Sequence, residues 1–154
     1  MSVSGFDHPW LSALLGDEEV ARYFSANAEL RTMLEVEVAL AMAEAELGII
    51  PMESAQAIAA TAITFEPDQQ ALAAGTARDG VTVPEWIGQL RRAVGEQHGK
   101  HVHFGSTSQD VLDTSLVLRL KPVLEILAAR LNDFDLRLAD LGELCRDLLT
   151  VEPS

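Results

Sequence analysis

The chain has 154 residues, a length that fits one folded unit of ordinary size. Its 11 Lys and Arg face 24 Asp and Glu, a formal charge of -13, which excludes the clustered basic surface that nucleic acids and anionic membranes select for. With 48% apolar residues and a mean hydropathy of +0.13 it is too hydrophobic to be disordered, and with only 5% aromatics its core must be aliphatic.

In chain order, Met1 to Trp10 lacks a basic segment followed by an apolar run, so no secretory signal is read there. Ser25 to Leu47 is predicted as a helix with Leu30, Leu34, Val38 and Met42 recurring every fourth residue. Glu29, Glu35, Glu37, Glu44 and Glu46 are expected on its wet side. Ser25 or Asn27 can cap its start, and Gly48 with Pro51 stops it. Two short Ala-rich helices are expected at Met52 to Thr64 and Pro67 to Ala77, followed by a loop from Gly75 to Val83. The stretch Ile49 to Phe65 is interrupted by Glu53 and is shorter than the roughly 18 to 20 apolar residues of a membrane span. A helix from Pro84 to Gln97 carries Trp86, Ile87, Leu90 and Val94 on one side and ends at Gly99. Nothing alternates with period two over a strand's length, so the fold class is all-α.

The last helix is predicted from Ser108 to Thr150. Val117, Leu120, Leu124, Leu127, Leu131, Phe134, Leu138, Leu141, Cys145 and Leu148 alternate three and four apart, a sustained heptad seam. At about 1.5 Å per residue such a helix is roughly 60 Å long. A compact domain of this size has a radius of gyration of only about 15 Å, so the helix is expected to project and to need partner helices. Pro122 removes one backbone bond within it and is expected to kink it. Cys145 lies on the seam and is read as a packed thiol, with no second cysteine for a disulfide.

Chemistry is expected before that helix, in Phe104-Gly-Ser-Thr-Ser-Gln-Asp110. Ser106, Thr107 and Ser108 are all good N-cap residues, and Thr107 with Asp110 resembles a capping box. The loop can therefore be simply the start of a long helix. It can equally be an anion site: three hydroxyls, the Gln109 amide, free backbone N–H groups and a positive helix end all favour a carboxylate or phosphate. His103 is close enough in sequence to donate to such an anion. His98, His101 and His103 have poor metal-ligand spacing and no nearby cysteine, so no metal site is read. Arg91 and Arg92 read as helix-face charges, and no nucleophilic triad is proposed.

His101-Val-His-Phe-Gly-Ser-Thr-Ser-Gln-Asp-Val-Leu-Asp-Thr-Ser-Leu116 resembles the first signature of the fumarase/aspartase superfamily. Within it the match is to the carboxymuconate cycloisomerase (3-carboxy-cis,cis-muconate lactonizing) family. Met33-Leu-Glu-Val-Glu-Val-Ala-Leu40 with Gly48-Ile-Ile-Pro51, and Val83-Pro-Glu-Trp-Ile-Gly-Gln-Leu-Arg-Arg92, are also similar to that family. The adenylosuccinate lyases are the second resemblance, and they carry a histidine motif where this chain has Thr82-Val-Pro84.

The resemblance implies an all-α homotetramer built on a bundle of long helices, with active sites drawn from three subunits. It implies cofactor-free chemistry in aromatic catabolism, in which a substrate carboxylate adds across a carbon–carbon double bond to give a lactone. Carried over by position, Thr107, Ser108 and Gln109 would bind a dicarboxylate or tricarboxylate, with Ser106 and His103 beside them. Asp110 would orient the loop, since a carboxylate facing an anionic substrate would repel it. The family's second and third signatures, the latter with the catalytic serine, have no counterpart here. No catalytic residue is therefore expected in this chain, which is read as an N-terminal piece inactive alone. It is organised as a helical domain over 1–105 and a substrate loop with bundle helix over 106–154. The expectation is a cytoplasmic protein that self-associates through residues 117–148 and engages neither nucleic acid nor membrane.

Overall fold

Local capping chemistry marks where several of the helices begin. The computed structural model describes residues 4–6 and 8–150, and only the backbone of residues 147–150. Among the described residues every regular element is helical, in agreement with the all-α expectation. Two four-residue helices, α1 (Ser12–Leu15) and α2 (Glu18–Ala21), and a 3-10 turn at Arg22–Phe24 lead the chain, and none of them was expected from periodicity. Then follow α3 (Ala26–Glu46), α4 (Met52–Ala62), α5 (Gln69–Asp79), α6 (Val83–Val94), α7 (Glu96–Gly99) and α8 (Ser108–Thr150).

Ser25 caps α3, its side chain accepting from the Ala28 N–H at 3.2 Å. Asp68 caps α5, accepting from the N–H groups of Gln70 and Ala71 at 2.9 and 3.1 Å. That cap displaces the start from Pro67, and the helix runs to Asp79, so of the loop expected over 75–83 only residues 80–82 are non-helical. Gly80, left-handed at φ 76°, ends it. Gly75 is therefore helical, and a Cβ there would lie 2.5 Å from the Cβ of Glu85, so the glycine permits close approach of α5 and α6. The predicted helix over 84–97 is two: Gly95 (φ 91°, ψ 163°) breaks it and α7 begins anew. α8 runs through Pro122 without ending there.

The chain divides into two compact units, Met1–Tyr23 with Leu120–Ser154, and Phe24–Arg119. In the first, Asp17 caps α2 by accepting from the Val20 N–H at 3.2 Å, and Arg130 pairs with both Asp17 and Glu19. Val117, in the second unit, and the seam residues Leu124, Leu127, Leu131, Phe134, Leu138 and Leu141 are between 41 and 65% exposed. Cys145 is exposed as well, so the packed thiol is not found in the single chain. Leu148 lies outside the described side chains.

In the second unit α3 packs on α4, α4 on α6 and α7, and α5 on α6. Its core joins Met33, Ile58, Leu72, Trp86, Ile87, Leu90, Val102 and Val111 with smaller neighbours. The buried face of α3 corrects the reading from periodicity. Met33, Glu37, Ala41 and Glu44 are its buried residues, whereas Leu30, Leu34, Val38 and Met42 are only partly covered. Two glutamates expected in water are thus inside, and that requires partners.

Candidate functional site

Glu37 has its partner in His103. The carboxylate is 1% exposed; Oε2 accepts from the His103 backbone N–H at 3.0 Å, and Oε1 lies 2.6 Å from the ring Nδ1. His103 adopts the left-handed conformation, φ 58°, uncommon for a residue with a side chain. The peptide group before it is also held through its carbonyl: Arg91 donates from Nε and Nη2 to the Val102 oxygen at 3.3 and 3.0 Å. Arg91, read from sequence as a face charge, therefore fixes the entry to the loop.

Glu44 lies two turns further along the same face of α3. Its Oε2 is buried without a hydrogen-bond partner, and its Oε1 is 3.7 Å from where a Cβ on Gly105 would be. Burial first, and repulsion from Glu37 second, push its carboxyl above the ordinary glutamate range. Such an acid keeps its proton in the folded chain at a pH where the unfolded chain has lost it. Stability therefore falls as pH rises from the ordinary glutamate value through the raised one. Glu44→Gln is expected to be more stable than the wild type at neutral pH, with the gain shrinking as pH drops from the raised value to the ordinary glutamate value. Urea midpoints across that range check this, and a gain that does not change with pH would contradict it.

At the start of α8 the capping box is complete. Thr107 Oγ1 accepts from the Asp110 N–H at 3.3 Å, while Asp110 Oδ2 accepts from the Thr107 N–H and hydroxyl, both at 2.8 Å. The bonds from the Thr107 hydroxyl and N–H, and then the nearby His103, hold the Asp110 carboxyl below the ordinary aspartate value. Gln109 donates to Asp113 at 2.6 Å, and the Ser106 hydroxyl points at the Thr107 carbonyl at 3.5 Å. Among the described residues the Ser108 hydroxyl and His103 Nε2 carry no hydrogen bond. The N–H groups of Ser108 and Gln109 belong to a helix's first turn, where no intrahelical acceptor exists. One backbone segment thus carries His103, Ser106, Thr107, Ser108, Gln109 and Asp110, with donors left over at its exposed end.

His98 and His101 lie elsewhere: both Nδ1 atoms reach Ser54 Oγ, at 3.0 and 2.9 Å. Burial, then the charges of Lys100 and His98, push the His101 imidazole down. Among the described residues no three His, Cys, Asp or Glu side chains group as a metal site needs, and no helix is long and apolar enough to cross a membrane. A cleft of about 550 Å³ between α3 and the α4–α5 connection is lined by none of the loop residues.

A family model described as lyase matches residues 17–151. This chain belongs to the lyase family of the fumarase/aspartase superfamily. An N-acetyl-S-(2-succino)cysteine lyase of Dickeya dadantii is 34% identical over 72% of this chain and 24% of its own length. An adenylosuccinate lyase of Pyrococcus horikoshii is 35% identical over 83% of this chain and 28% of its own. The crystal structure of beta-carboxy-cis,cis-muconate cycloisomerase from Acinetobacter calcoaceticus sp. ADP1 is 37% identical, with a TM-score of 0.72 over 75% of this chain and 28% of that one. The helices described above are those of the superfamily's N-terminal helical domain. This family member spans about a quarter of the length of the curated relatives it matches.

Sequence reasoning found the capping box but missed Glu37, Glu44 and Arg91. The available signal was register: Met33, Glu37, Ala41 and Glu44 recur at four, four and three, the spacing of one helix face.

Proposed function

We propose that this chain supplies the carboxylate-binding part of a lyase-type active site, and that the reaction is cofactor-free cyclisation of 3-carboxy-cis,cis-muconate to a carboxymuconolactone. The observation that carries the reading is the loop before α8, where the Ser108 hydroxyl, His103 Nε2 and the first-turn N–H groups of Ser108 and Gln109 remain free around a closed Thr107–Asp110 cap. Helix N-termini with free N–H groups and hydroxyls favour a carboxylate. Asp110, bonded back to the Thr107 N–H and hydroxyl, serves the loop. The start of α6 supports cyclisation over adenylosuccinate cleavage, because Thr82, Val83 and Pro84 stand where the histidine motif of those lyases would be.

In the reaction one substrate carboxylate oxygen bonds to a carbon of the double bond, and a proton is added to the neighbouring carbon, so the product is an isomer. The loop's part is to hold carboxylates so that the attacking oxygen lies over that carbon, a positioning effect. The groups that move the proton are assigned to segments outside this chain, and the chain alone is expected to show no lactonization. Calorimetric titration with succinate tests the site. The wild type is expected to bind, and Thr107→Ala with Ser108→Ala to lose binding. Loss of only about 1 kcal/mol of stability, the cost of a cap, with succinate binding unchanged would leave the loop as a helix start and nothing more.

A second reading rests on the exposed seam of α8. We infer that copies of the chain, as a homotetramer in the whole protein, cover Leu124, Leu131, Phe134, Leu138 and Leu141. Sedimentation should show mass rising with concentration, and a constant monomer mass would exclude it.

A further inference from the structure

Glu37 and His103 are an unusual pair to find below a loop proposed to meet its ligand at the surface. The acid is 1% exposed, the His103 side chain 12%, and each carboxylate oxygen has its own task. Oε2 holds the backbone N–H at 3.0 Å and Oε1 faces Nδ1 at 2.6 Å. A carboxylate only accepts, so the ring nitrogen facing it must carry the hydrogen. The bonds at the two ring nitrogens diverge, so Nε2 points away from Glu37, and it carries no hydrogen bond among the described residues.

We propose that Glu37 is a positioning residue of the candidate site, one that keeps the Nδ1 hydrogen of His103 in place and presents Nε2 as the ligand-facing atom. The proposal rests on the reading of residues 103–110 as a carboxylate site and deepens it. Because Nδ1 keeps its hydrogen whether the ring is neutral or charged, every proton gained or lost by His103 is exchanged at Nε2. Neutral, Nε2 accepts a hydrogen bond from a ligand acid; protonated, it donates one to a carboxylate while Glu37 remains the buried counter-charge. The Arg91 bonds to the Val102 oxygen keep the same peptide group from turning when the ring changes state.

Two-bond proton–nitrogen NMR correlations of the His103 ring at about pH 9, where an ordinary histidine is neutral, give the tautomer directly. The wild type is expected to carry its hydrogen on Nδ1. In Glu37→Gln the amide oxygen accepts the backbone N–H and the amide NH2 donates to Nδ1, so the ring hydrogen should move to Nε2. A wild-type hydrogen on Nε2, or a variant tautomer unchanged from wild type, overturns the proposal. The wild-type measurement needs no substitution and decides the first point even if the variant does not fold.

Succinate added at about pH 5.5, where an ordinary histidine is mostly charged and Nε2 carries a hydrogen to donate, provides the second arm. It should shift the Nε2 signal in the wild type and bind about tenfold more weakly to the variant, the scale of one lost hydrogen bond to a charged group. An inverted tautomer with unchanged succinate affinity would reduce Glu37 to a structural role and overturn its positioning one. Expected tautomers with no response of Nε2 to succinate would overturn the ligand-facing assignment together with the carboxylate-site reading, while Glu37's hold on the ring would stand.

Discussion

Trp86→Ala is expected to destabilise the unit Phe24–Arg119 by about 3 to 5 kcal/mol, the range for deleting a buried aromatic. Trp86 is 0% exposed and heads the largest fully buried side chains, in a core otherwise made of Met33, Ile58, Leu90 and their aliphatic neighbours. Aliphatic side chains held by three helices cannot collapse into a space of that size without leaving their rotamers, so most of the cavity should persist. A domain of about a hundred residues has roughly 5 to 15 kcal/mol in total, so this variant is expected to be partly unfolded at 37 °C. Trp86→Phe should cost much less than Trp86→Ala. The indole Nε1 is buried without a partner, and phenylalanine removes that unpaired N–H while filling most of the space. Urea denaturation followed by circular dichroism gives both values, and a cost for Trp86→Ala below that of Trp86→Phe would show the core drawn incorrectly.

Glu37→Ala is expected to cost about 3 kcal/mol or more, since two hydrogen bonds to a carboxylate are lost at about 1.5 to 3 kcal/mol each. The size follows from what is left behind. The His103 N–H and ring lose both acceptors at once, and left-handed backbone at φ 58° loses the bond that holds it. Amide exchange supplies an independent readout: the His103 N–H should exchange far faster in the variant, while amides within α5 keep their protection. Equal acceleration in α5 would mean general loosening of the fold.

How much of this could be read from the sequence depends on the range of the interactions concerned. The all-α class, the span of α8 and the Trp86, Ile87 and Leu90 face of α6 follow from periods and caps that act over four residues. The same is true of Thr107 and Asp110, three apart and joined as a capping box. The spacing of Met33, Glu37, Ala41 and Glu44 offers the buried face of α3 but does not decide for it, because Glu37 is buried through a residue 66 positions away in sequence and no local rule anticipates that bond. Asp68 was passed over for Pro67 as the start of α5, although its side chain satisfies two N–H groups and proline needs none satisfied. Gly75 falls in the overlap of an expected helix and an expected loop, and its close approach to Glu85 is again knowledge of a neighbour rather than of a propensity.

The Val102–His103 peptide group is gripped on its oxygen by Arg91 and on its nitrogen by Glu37, one from α6 and one from α3. A peptide fixed at both ends has surrendered its conformational entropy when the chain folds, long before any ligand arrives. Association at the proposed carboxylate site is then expected to need no further ordering of this peptide, which leaves released water a larger share of the entropy of binding. In the proposed carboxylate site the ligand is expected to meet this peptide already fixed, so ligands with carboxylates at the wrong separation are expected to bind more weakly.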